Sequence, residues 1–406
     1  MNITVAPLVP LKFVAQFVSG GTPSPDSANW DGDFPFVTPP DLNGLDGAQI
    51  SAWERSLTER GASESSVVSN AVLLSCRAPI GHIGVTSREI AFNQGCKAVI
   101  PEDPSDLRFL AYSLVSIRKA LETAGRGTTF TELSATELSS LMVPWPDPNT
   151  RSRSADYLDR EIREIDAVLK NLEGLSGALR DRARIVQTRF VFGLAVGQRH
   201  SAADAHSPLS GIPDHWDRAK FGYDFTESTE RNGDDPPGPL LSISEYRGVE
   251  LNTRTEGQQA SLDVSKYRVV RPGQLAANMM WLNHGGLGVS SLTGYISPDY
   301  KAFWISDRFE PRYVHHLFRS SRYVDYFAAI ATGVRPNAQR VTKTVLDATP
   351  VPLPPLDEQI KIADELDGAT ARVDAMLAKV GDLKSLLFER RAALITDVVT
   401  GKKEVS

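Results

Sequence analysis

The sequence predicts an α+β protein in which two mixed α/β globular domains alternate with two long helices paired as an antiparallel coiled coil. Three observations predict this fold class. Residues 143–193 align without a gap onto residues 351–401, with roughly three in ten positions identical. Apolar residues recur every seven positions inside both copies, as in a coiled coil. The segments before the copies are rich in turn residues and short strand-like runs, as in mixed globular domains.

The repeated segments predict one long helix each. Both begin after proline-rich openings and end at Gly193 and Gly401, which are typical start and stop signals. About 38 helical residues give a rod of roughly 55 Å. The apolar residues at heptad spacing form the predicted coiled-coil seam: Leu158, Ile165, Leu172, Leu179, Val186, Leu366, Val373, Val380, Leu387 and Leu394.

Each heptad row has a second apolar line at complementary spacing. That line comprises Val168 and Leu175 in the first copy, and Ile362, Ala369, Met376 and Leu383 in the second. Both copies also place an arginine at the same late position, Arg182 and Arg390, where a polar seam residue fixes the register of pairing.

The repeats divide the chain into four predicted domains. Residues 1–142 form the first head, 143–199 the first helix, 200–350 the second head and 351–406 the second helix. Predicted strands include 71–75, 80–86, 268–270 and 301–305. The two heads share one weakly similar segment, since DLRFLAYSLVS at 106–116 resembles EPRYVHHLFRS at 310–320. Antiparallel pairing of the helices would make the molecule pseudo-twofold symmetric.

Composition excludes several classes of protein. The 406 residues carry a net charge of −6 and no apolar run near the roughly 20 residues of a membrane span. The N-terminus lacks a basic start and is broken by prolines, so it does not resemble a signal peptide. Only Cys76 and Cys96 are present, which fits a reducing cytoplasm. The expected location is therefore the cytoplasm, without a membrane partner.

The sequence also lacks the common catalytic and metal-binding patterns. Residues 400–403, TGKK, lack the upstream glycine and the Ser/Thr of a phosphate-binding loop. Residues 235–238, DPPG, imitate the loop that holds a flipped adenine, but Gly238 offers no ring for stacking. His315 and His316 are adjacent and fit no metal spacing, so we expect no metal site in this chain.

Two heads on a rigid spacer suit a periodic, extended ligand, and duplex DNA repeats every 34 to 36 Å or so. A rod of the predicted length would place the heads about one to one and a half turns apart. One local stretch, from Arg308 to Lys343, contains seven basic and two acidic residues, and its charge excess fits either a DNA contact or a solvated helix face. Because the heads differ, we expect them to read different half-sites.

Several motifs resemble those of type I restriction-modification specificity subunits. The opening at 352–359, PLPPLDEQ, and the close at 393–405, ALITDVVTGKKEV, look like the second central repeat of that family. The first head resembles a recurrent target recognition domain through GGTPS at 20–24, WDGDFPFVTPPDL at 30–42 and RAPIGHIGV at 77–85. The first repeat departs from the pattern, with DPNTR at 147–151 in place of PLDEQ.

The resemblance implies a noncatalytic DNA-binding subunit. Each head would be a target recognition domain for one half of a bipartite, asymmetric double-stranded DNA site. The paired helices would hold the spacing and dock two adenine methyltransferase subunits, and ATP-driven restriction subunits would join for cleavage. S-adenosylmethionine, ATP and Mg would then bind the partner subunits and no cofactor would bind this chain.

Candidate DNA-contacting residues are loop polar groups near glycines and side chains that can pair with base edges. They are Thr22, Ser24, Thr38, Arg77, His82, Gln94, Arg126 and Thr128 in the first head, and Tyr246, Arg247, Asn278, Asn283, His284, Arg335, Asn337, Gln339 and Arg340 in the second. The stretch 332–340, TGVRPNAQR, combines positive charge with base-reading residue types. Two alternatives stay open: an adaptor with protein-binding heads, favoured by the negative net charge, and a self-sufficient methyltransferase, motivated only by DPPG.

Overall fold

The computed structural model describes residues 6–125, 132–194, 207–233, 235–245, 247–253, 263–332 and 340–405. The chain forms two compact units. Unit 1 comprises residues 1–172 and 381–406, and unit 2 comprises residues 173–380. Each unit therefore contains one head and parts of both repeats. The four domain boundaries expected from the sequence stay predictions.

The helices and strands follow each other as expected for alternating heads and rods. The helices are α1 (Glu59–Ser63), α2 (Leu107–Ser116), α3 (Arg118–Ala124), α4 (Ala135–Ser140), α5 (Pro148–Val191), α6 (Phe221–Asp224), α7 (Pro311–Phe318), α8 (Ser321–Ile330), α9 (Lys343–Asp347) and α10 (Leu356–Val399). The strands before α5 are β1 (Leu8–Pro10), β2 (Ala15–Ser19), β3 (Trp30–Val37), β4 (Arg55–Leu57), β5 (Ser66–Val68), β6 (Ala71–Ser75), β7 (Ile83–Thr86), β8 (Ile90–Phe92), β9 (Cys96–Pro101) and β10 (Met142–Pro144). The later strands are β11 (Asp217–Lys220), β12 (Phe225–Ser228), β13 (Leu241–Ser244), β14 (Gly248–Leu251), β15 (Arg268–Val270), β16 (Leu275–Ala277), β17 (Leu287–Val289), β18 (Gly294–Ile296), β19 (Lys301–Ile305) and β20 (Pro350–Leu353).

The first head is built on two four-stranded sheets. One has the order β2-β9-β6-β7 and is antiparallel throughout; the other has the order β4-β3-β8-β5 and contains one parallel pair, β3 with β8. Strand β6, AVLLS, is buried along its whole length because apolar side chains cover both of its faces. Strand β7 begins at Ile83 and not at Ile80, since residues 76–82 form the turn of the β6–β7 hairpin.

The second head shares the main sheet of the first, around a more aromatic core, but in place of the second four-stranded sheet it has two two-stranded sheets, β13-β14 and β15-β18. Its largest sheet has the order β12-β19-β16-β17, which matches β2-β9-β6-β7 strand for strand. In both heads three short helices follow the last of these strands, and an antiparallel strand pair, β1 with β10 or β11 with β20, joins the two ends of the head. Helices α2 and α7 coincide with the weakly similar segment at 106–116 and 310–320.

Helices α5 and α10 are 44 residues long, six more than expected. Pro148 opens α5 at the first helical position, where proline costs no hydrogen bond. Both helices end just before the predicted glycines, which adopt left-handed backbone, with φ of 66° at Gly193 and 78° at Gly401. No helix in the described part of the chain is long and apolar enough to cross a membrane.

Each unit buries part of the predicted heptad seam. In unit 1, Leu158 and Ile162 of α5 pack in one cluster with Ile395 and Val398 of α10, so the start of one helix lies against the end of the other. In unit 2, Val191 belongs to the same core as Leu366. Leu172, Leu179, Val186, Val373, Leu387 and Leu394 are half-buried, and Ile165 and Val380 are buried.

The expected second apolar line is wrong in the first copy and in half of the second. Val168, Leu175, Met376 and Leu383 are exposed, and Ile362 and Ala369 are half-buried. The buried partners of the seam are instead Ile162 and Leu169, which alternate with Leu158 and Ile165 at steps of four and three residues. Sequence spacing alone assigned the apolar residues on the wrong side of the seam.

The expected seam arginines are also wrong. Arg182 and Arg390 are both exposed. The neighbouring Arg391 is the buried one, only 5% exposed. One position along a helix rotates a side chain by about 100°, which moves it from the outer face to the inner face.

Candidate nucleic-acid interface

Three segments of the first head meet at one end of the sheet β2-β9-β6-β7. The first-head hairpin, residues 76–82, starts at Cys76, whose backbone N–H donates to the Gly95 carbonyl at 2.8 Å. The Leu133 N–H in turn donates to the Cys76 carbonyl at 2.8 Å. The turn after β8 and the segment before α4 therefore flank the hairpin.

The loop after β2 completes this edge. An added Cβ at Gly20 would lie 1.9 Å from the Asn93 carbonyl oxygen, so only glycine allows the loop to approach the turn after β8 so closely. The Thr22 hydroxyl donates to the Gln94 side-chain oxygen. Thr22, Gln94 and Arg77 are exposed, and the structure gathers these three predicted residues on one edge of the head.

Other predicted residues of the first head have structural roles. The Ser24 hydroxyl donates to Glu64 at 3.0 Å and accepts from Asn29 at 2.8 Å. Thr38 opens a capping box, in which its hydroxyl donates to Asp41 at 2.6 Å. Their polar groups already have partners, which leaves them less free to contact DNA.

His82 is the last residue of the first-head hairpin. Its backbone N–H donates to the Ser75 hydroxyl at 2.9 Å. Burial and the nearby Arg118 guanidinium lower the pKa of the imidazole. A neutral imidazole adds no positive charge to the edge.

Arg77 is paired within the head. Its Nε lies 3.2 Å from Glu132, and the two residues form an antiparallel backbone bridge. Both side chains are substantially exposed, so the pair contributes little to stability. Glu132 limits the charge that Arg77 presents to a polyanion.

The second head has an equivalent edge. The second-head hairpin, residues 278–286, joins β16 to β17, and the Asn278 N–H donates to the Gly286 carbonyl at 2.8 Å. The Val341 N–H donates to the Met279 carbonyl at 3.2 Å, as Leu133 does to Cys76 in the first head. Arg340 then occupies the place that Glu132 has in the first head, with the opposite charge.

The tip of the second-head hairpin carries exposed aromatic and apolar side chains. Met280 and Trp281 are exposed, and the His284 ring lies 4.7 Å from the Trp281 ring. Asn283 is half-buried beside them, whereas Asn278 is buried and accepts from the Met280 N–H at 3.1 Å. Asn278 therefore stabilises the turn, while His284 and Asn283 lie at its surface.

Arg319 connects this hairpin to the β13–β14 turn. Its Nη1 donates to the carbonyls of Ser244 and Leu287 at 3.1 and 3.0 Å. Burial lowers the pKa of this guanidinium to about 10. Arg247, exposed in the same β13–β14 turn, is thereby held near the second-head hairpin.

The basic stretch from Arg308 to Lys343 does not form an open cationic surface. Five of its cations bond groups inside unit 2: Arg308 to Asp224, Arg312 to Glu310, Asp364 and Asp367, Arg319 to backbone carbonyls, Arg322 to the Ser210 carbonyl and Lys343 to Asp347. Its local charge excess therefore serves mainly internal contacts. Arg340 is the described member that is exposed beside the second-head hairpin.

Six predicted contact residues lie outside the described part of the chain. They are Arg126, Thr128, Tyr246, Arg335, Asn337 and Gln339. Arg340 and Thr332, the described ends of the stretch TGVRPNAQR, pair through two backbone hydrogen bonds of 3.0 Å.

Sequence reasoning missed Lys97. It lies on β9, opposite Leu74 of β6, and is only 7% exposed. No hydrogen bond or ion pair of its ammonium group occurs among the described residues. A lysine inside a buried strand is costly unless its ammonium group has a polar or anionic partner.

Gly238 of the DPPG segment has a packing role. An added Cβ at Gly238 would lie 2.4 Å from the Thr293 carbonyl oxygen, so glycine is required for backbone packing there. His315 is half-buried and accepts from the Val289 N–H at 3.2 Å, while the buried His316 contacts Asp367 at 2.8 Å. The two histidines thus have separate structural partners. Within the described residues, no group of three or more His, Cys, Asp or Glu side chains has the arrangement of a metal site.

Comparison with known proteins finds similarity in the first part of the chain. Residues 8–173 match the family described as type I restriction modification DNA specificity domain. The chain is 30% identical over 154 residues to the type I restriction enzyme MjaIX specificity subunit of Methanocaldococcus jannaschii, with 36% of each chain covered. It is 29% identical over 143 residues to the HindI specificity subunit of Haemophilus influenzae, covering 34% of this chain and 31% of the relative. The alignments thus span about a third of these curated relatives.

The fold matches over almost the whole chain. A chain from a structural study of complex assembly and conformational transition of the type I R-M system covers 98% of this protein and is itself 99% covered, with a TM-score of 0.62 and 16% identity. The predicted fold class is confirmed. The match over residues 8–173 and the curated relatives confirm that the chain resembles type I restriction-modification specificity subunits.

Proposed function

We propose that this chain is the DNA-recognition subunit of a type I restriction-modification complex and that its heads read the two halves of a bipartite, asymmetric double-stranded DNA site. One observation carries the proposal: the heads share the topology of their main sheet, β2-β9-β6-β7 and β12-β19-β16-β17, but present different hairpins at the same place in it. CRAPIGH in the first head corresponds to NMMWLNHGG in the second. A common framework with different reading loops suits two unlike half-sites.

The opposite charges of Glu132 and Arg340 support unlike half-sites. Each precedes a residue whose backbone N–H donates to the hairpin of its own head, Leu133 to Cys76 and Val341 to Met279. Arg340 suits a guanine edge or a phosphate, whereas Glu132 suits a cytosine amino group or positions Arg77. The two heads would therefore prefer different bases.

The helices would hold the spacing of the half-sites and dock two methyltransferase subunits. Each repeat exposes two apolar side chains at matching positions, Val168 and Leu175 in the first and Met376 and Leu383 in the second. Exposed apolar side chains of this kind are typical of protein interfaces. Their occurrence in both repeats fits two copies of one partner.

The chain itself would be noncatalytic. S-adenosylmethionine would bind the methyltransferase subunits, and ATP and Mg would bind the restriction subunits that join them. The complex would act in the cytoplasm, whose reducing conditions fit the two free cysteines.

Adenine methylation in the source genome tests this proposal. Single-molecule sequencing with and without the gene should show loss of one split motif, made of two short half-sites around a fixed gap. If the assembled complex methylated adenines at scattered DNA positions without a shared motif, sequence recognition would be refuted. Incubation of the chain alone with S-adenosylmethionine and DNA should give no methyl transfer, and transfer above background would refute the noncatalytic role.

We expect the isolated chain to bind DNA weakly. The first head carries 10 basic and 15 acidic residues, so partner subunits would supply many phosphate contacts. Tight, specific binding by the chain alone would contradict this dependence.

A second candidate is an adaptor whose heads bind proteins. The exposed Met280 and Trp281 favour it, because an aromatic and a methionine at a hairpin tip also suit a protein partner. An assembled complex without DNA affinity at any salt concentration would favour this candidate over DNA recognition.

A further inference from the structure

Three arginine side chains bond to one turn of the first head, residues 45–47. Residues 45–47 adopt left-handed backbone at Asp46 and Gly47, with φ of 46° and 85°. Arg391 Nη2 donates to the Leu45 carbonyl at 3.3 Å, and Arg108 Nη1 donates to the Gly47 carbonyl at 2.7 Å. Arg118 Nη2 bonds the Asp46 carboxylate, and Arg391 Nη1 lies 3.9 Å from the same group.

This turn is bonded to the first-head hairpin. Arg118 Nε donates to the Gly81 carbonyl at 3.0 Å, and the Gly47 N–H donates to the Ile83 carbonyl at 2.9 Å. Gly81 has a φ of 92°, and an added Cβ would lie 3.2 Å from Arg118 Cγ. The position of the hairpin therefore depends on Arg118 and on the turn.

The same turn is bonded to the long helices. Arg108 Nη2 donates to Asp159 at 2.7 Å, and Arg391 Nη1 lies 3.8 Å from Asp166. The two aspartates are one heptad apart on α5 and so lie on the same side of it. Asp46, Arg391 and Asp166 thus form a continuous charged path from the turn to the helix.

The path through Arg391 occurs in one repeat only. Arg391 corresponds to Ala183 in the first copy, whereas Asp159 and Asp166 correspond to Asp367 and Asp374. Arg391 is 95% buried, and its Nε has no hydrogen-bond partner among the described residues. A buried guanidinium that is only partly paired is costly, which argues for a role beyond packing.

We propose that Arg391 and Arg118 are positioning residues for the first half-site, holding the first-head hairpin in a fixed orientation to the helices. This proposal rests on the proposed function. Loss of the Arg391 charge would leave the hairpin attached but able to rotate. Base selection at the first half-site would then relax, while the second half-site would be read as before.

Methylation by the reconstituted methyltransferase complex on a randomised DNA library tests this proposal. Arg391→Met should reduce discrimination in the first half-site about tenfold, the cost of one lost base contact, and Arg391→Lys should restore part of it. Arg390→Met, which alters the exposed neighbour, is the matched control. Full stringency at both half-sites in Arg391→Met, or equal relaxation of both, would overturn the proposal.

A second variant keeps the test informative if Arg391→Met does not fold. Asp46→Asn retains a residue that tolerates left-handed backbone and removes only the charge between the two arginines. It should relax the first half-site in the same way, and unchanged stringency would overturn the proposal. A wild-type complex that produces no split motif would instead refute the proposed function itself.

Discussion

Tyr112 and His316 occupy equivalent places in the two heads, and each bonds the equivalent aspartate of its helical repeat. The Tyr112 hydroxyl lies 2.5 Å from Asp159 Oδ1, and His316 Nε2 lies 2.8 Å from Asp367 Oδ1. One helical turn earlier, Arg108 and Arg312 bond the same two aspartates. The duplication therefore preserved a joint between head and helix and not only a coiled-coil seam.

The first prediction concerns this joint. Asp159→Asn removes the charge that Arg108 and Tyr112 share, and we expect it to lower the free energy of unfolding of unit 1 by about 1 to 3 kcal/mol. Asp156→Asn, on the exposed face of the same helix, is the control and should have almost no effect. Urea denaturation measures both variants. Equal stabilities for Asp159→Asn and the wild type would mean that the joint contributes nothing to stability.

The second prediction tests the revised seam. Val380→Asp buries a carboxylate in an apolar position and should lower the free energy of unfolding by at least about 3 kcal/mol. Leu172→Asp, at the matching position of the first copy, should act in the same direction but less, because Leu172 is only half-buried.

Met376→Asp is the matched control for the seam. Met376 is exposed on α10, so its replacement should change stability by no more than about 0.5 kcal/mol. Thermal unfolding of the three variants gives the comparison. If Met376→Asp proved as destabilising as Val380→Asp, the assignment of the inner face would be wrong.

The helices and the general plan of the heads followed from the sequence because duplication and heptad spacing are local signals. Strands 71–75, 268–270 and 301–305 were predicted with the bounds that the structure has. The buried face of each helix was not predicted correctly from the sequence. Val168 and Ile162 are both apolar, and only packing against the other helix decides which of them is buried.

The candidate site was harder to predict than the fold. The charge of a stretch does not reveal its partners, and Arg312 bonds three carboxylates that lie up to 55 residues away in the sequence. Lys97 was missed for the converse reason, because one lysine within a strand carries no pattern. The loop edge with Thr22, Gln94 and Arg77 was found because glycines flank it.

The third prediction concerns Lys97. Lys97 is the second residue of β9, and its largely buried side chain has no described protein partner for the ammonium group. We therefore expect the ammonium to gain a DNA phosphate as its partner in the assembled complex. Lys97→Met should weaken DNA binding by the assembled complex equally for all sequences and reduce the slope of log affinity against log salt by about one.

Lys402→Met is the charge-matched control, since Lys402 is exposed beyond the end of α10. Fluorescence anisotropy between about 50 and 200 mM salt measures both variants. An unchanged salt slope in Lys97→Met would exclude a phosphate contact.

The fourth prediction separates the heads. Arg77→Ala should relax base selection in one half-site and Arg340→Ala in the other, each by about 1 to 3 kcal/mol of discrimination. Methylated motifs from a randomised library report both half-sites in one experiment. Relaxation of the same half-site by both variants would contradict the assignment of one half-site to each head.

The fifth prediction is a pH dependence that arises from His315. Burial, assisted by Arg319 and His316, lowers the pKa of this imidazole to about 3 in the folded chain, and Asp367 only partly opposes the shift. In the unfolded chain the imidazole has an ordinary pKa near 6.5 or so. The unfolded state therefore binds the proton more readily, so stability is full above about pH 6.5 and falls as the pH drops toward 3.

His315→Asn isolates this effect, because the asparagine side-chain oxygen can replace Nδ1 as the acceptor for the Val289 N–H. Between pH 7 and pH 5 the wild type should lose about 2 kcal/mol more unfolding free energy than the variant. Denaturation at both pH values measures the difference, and carboxylate titration is common to the two proteins. Parallel losses in the two proteins would mean that protonation of His315 does not contribute to the pH dependence of stability.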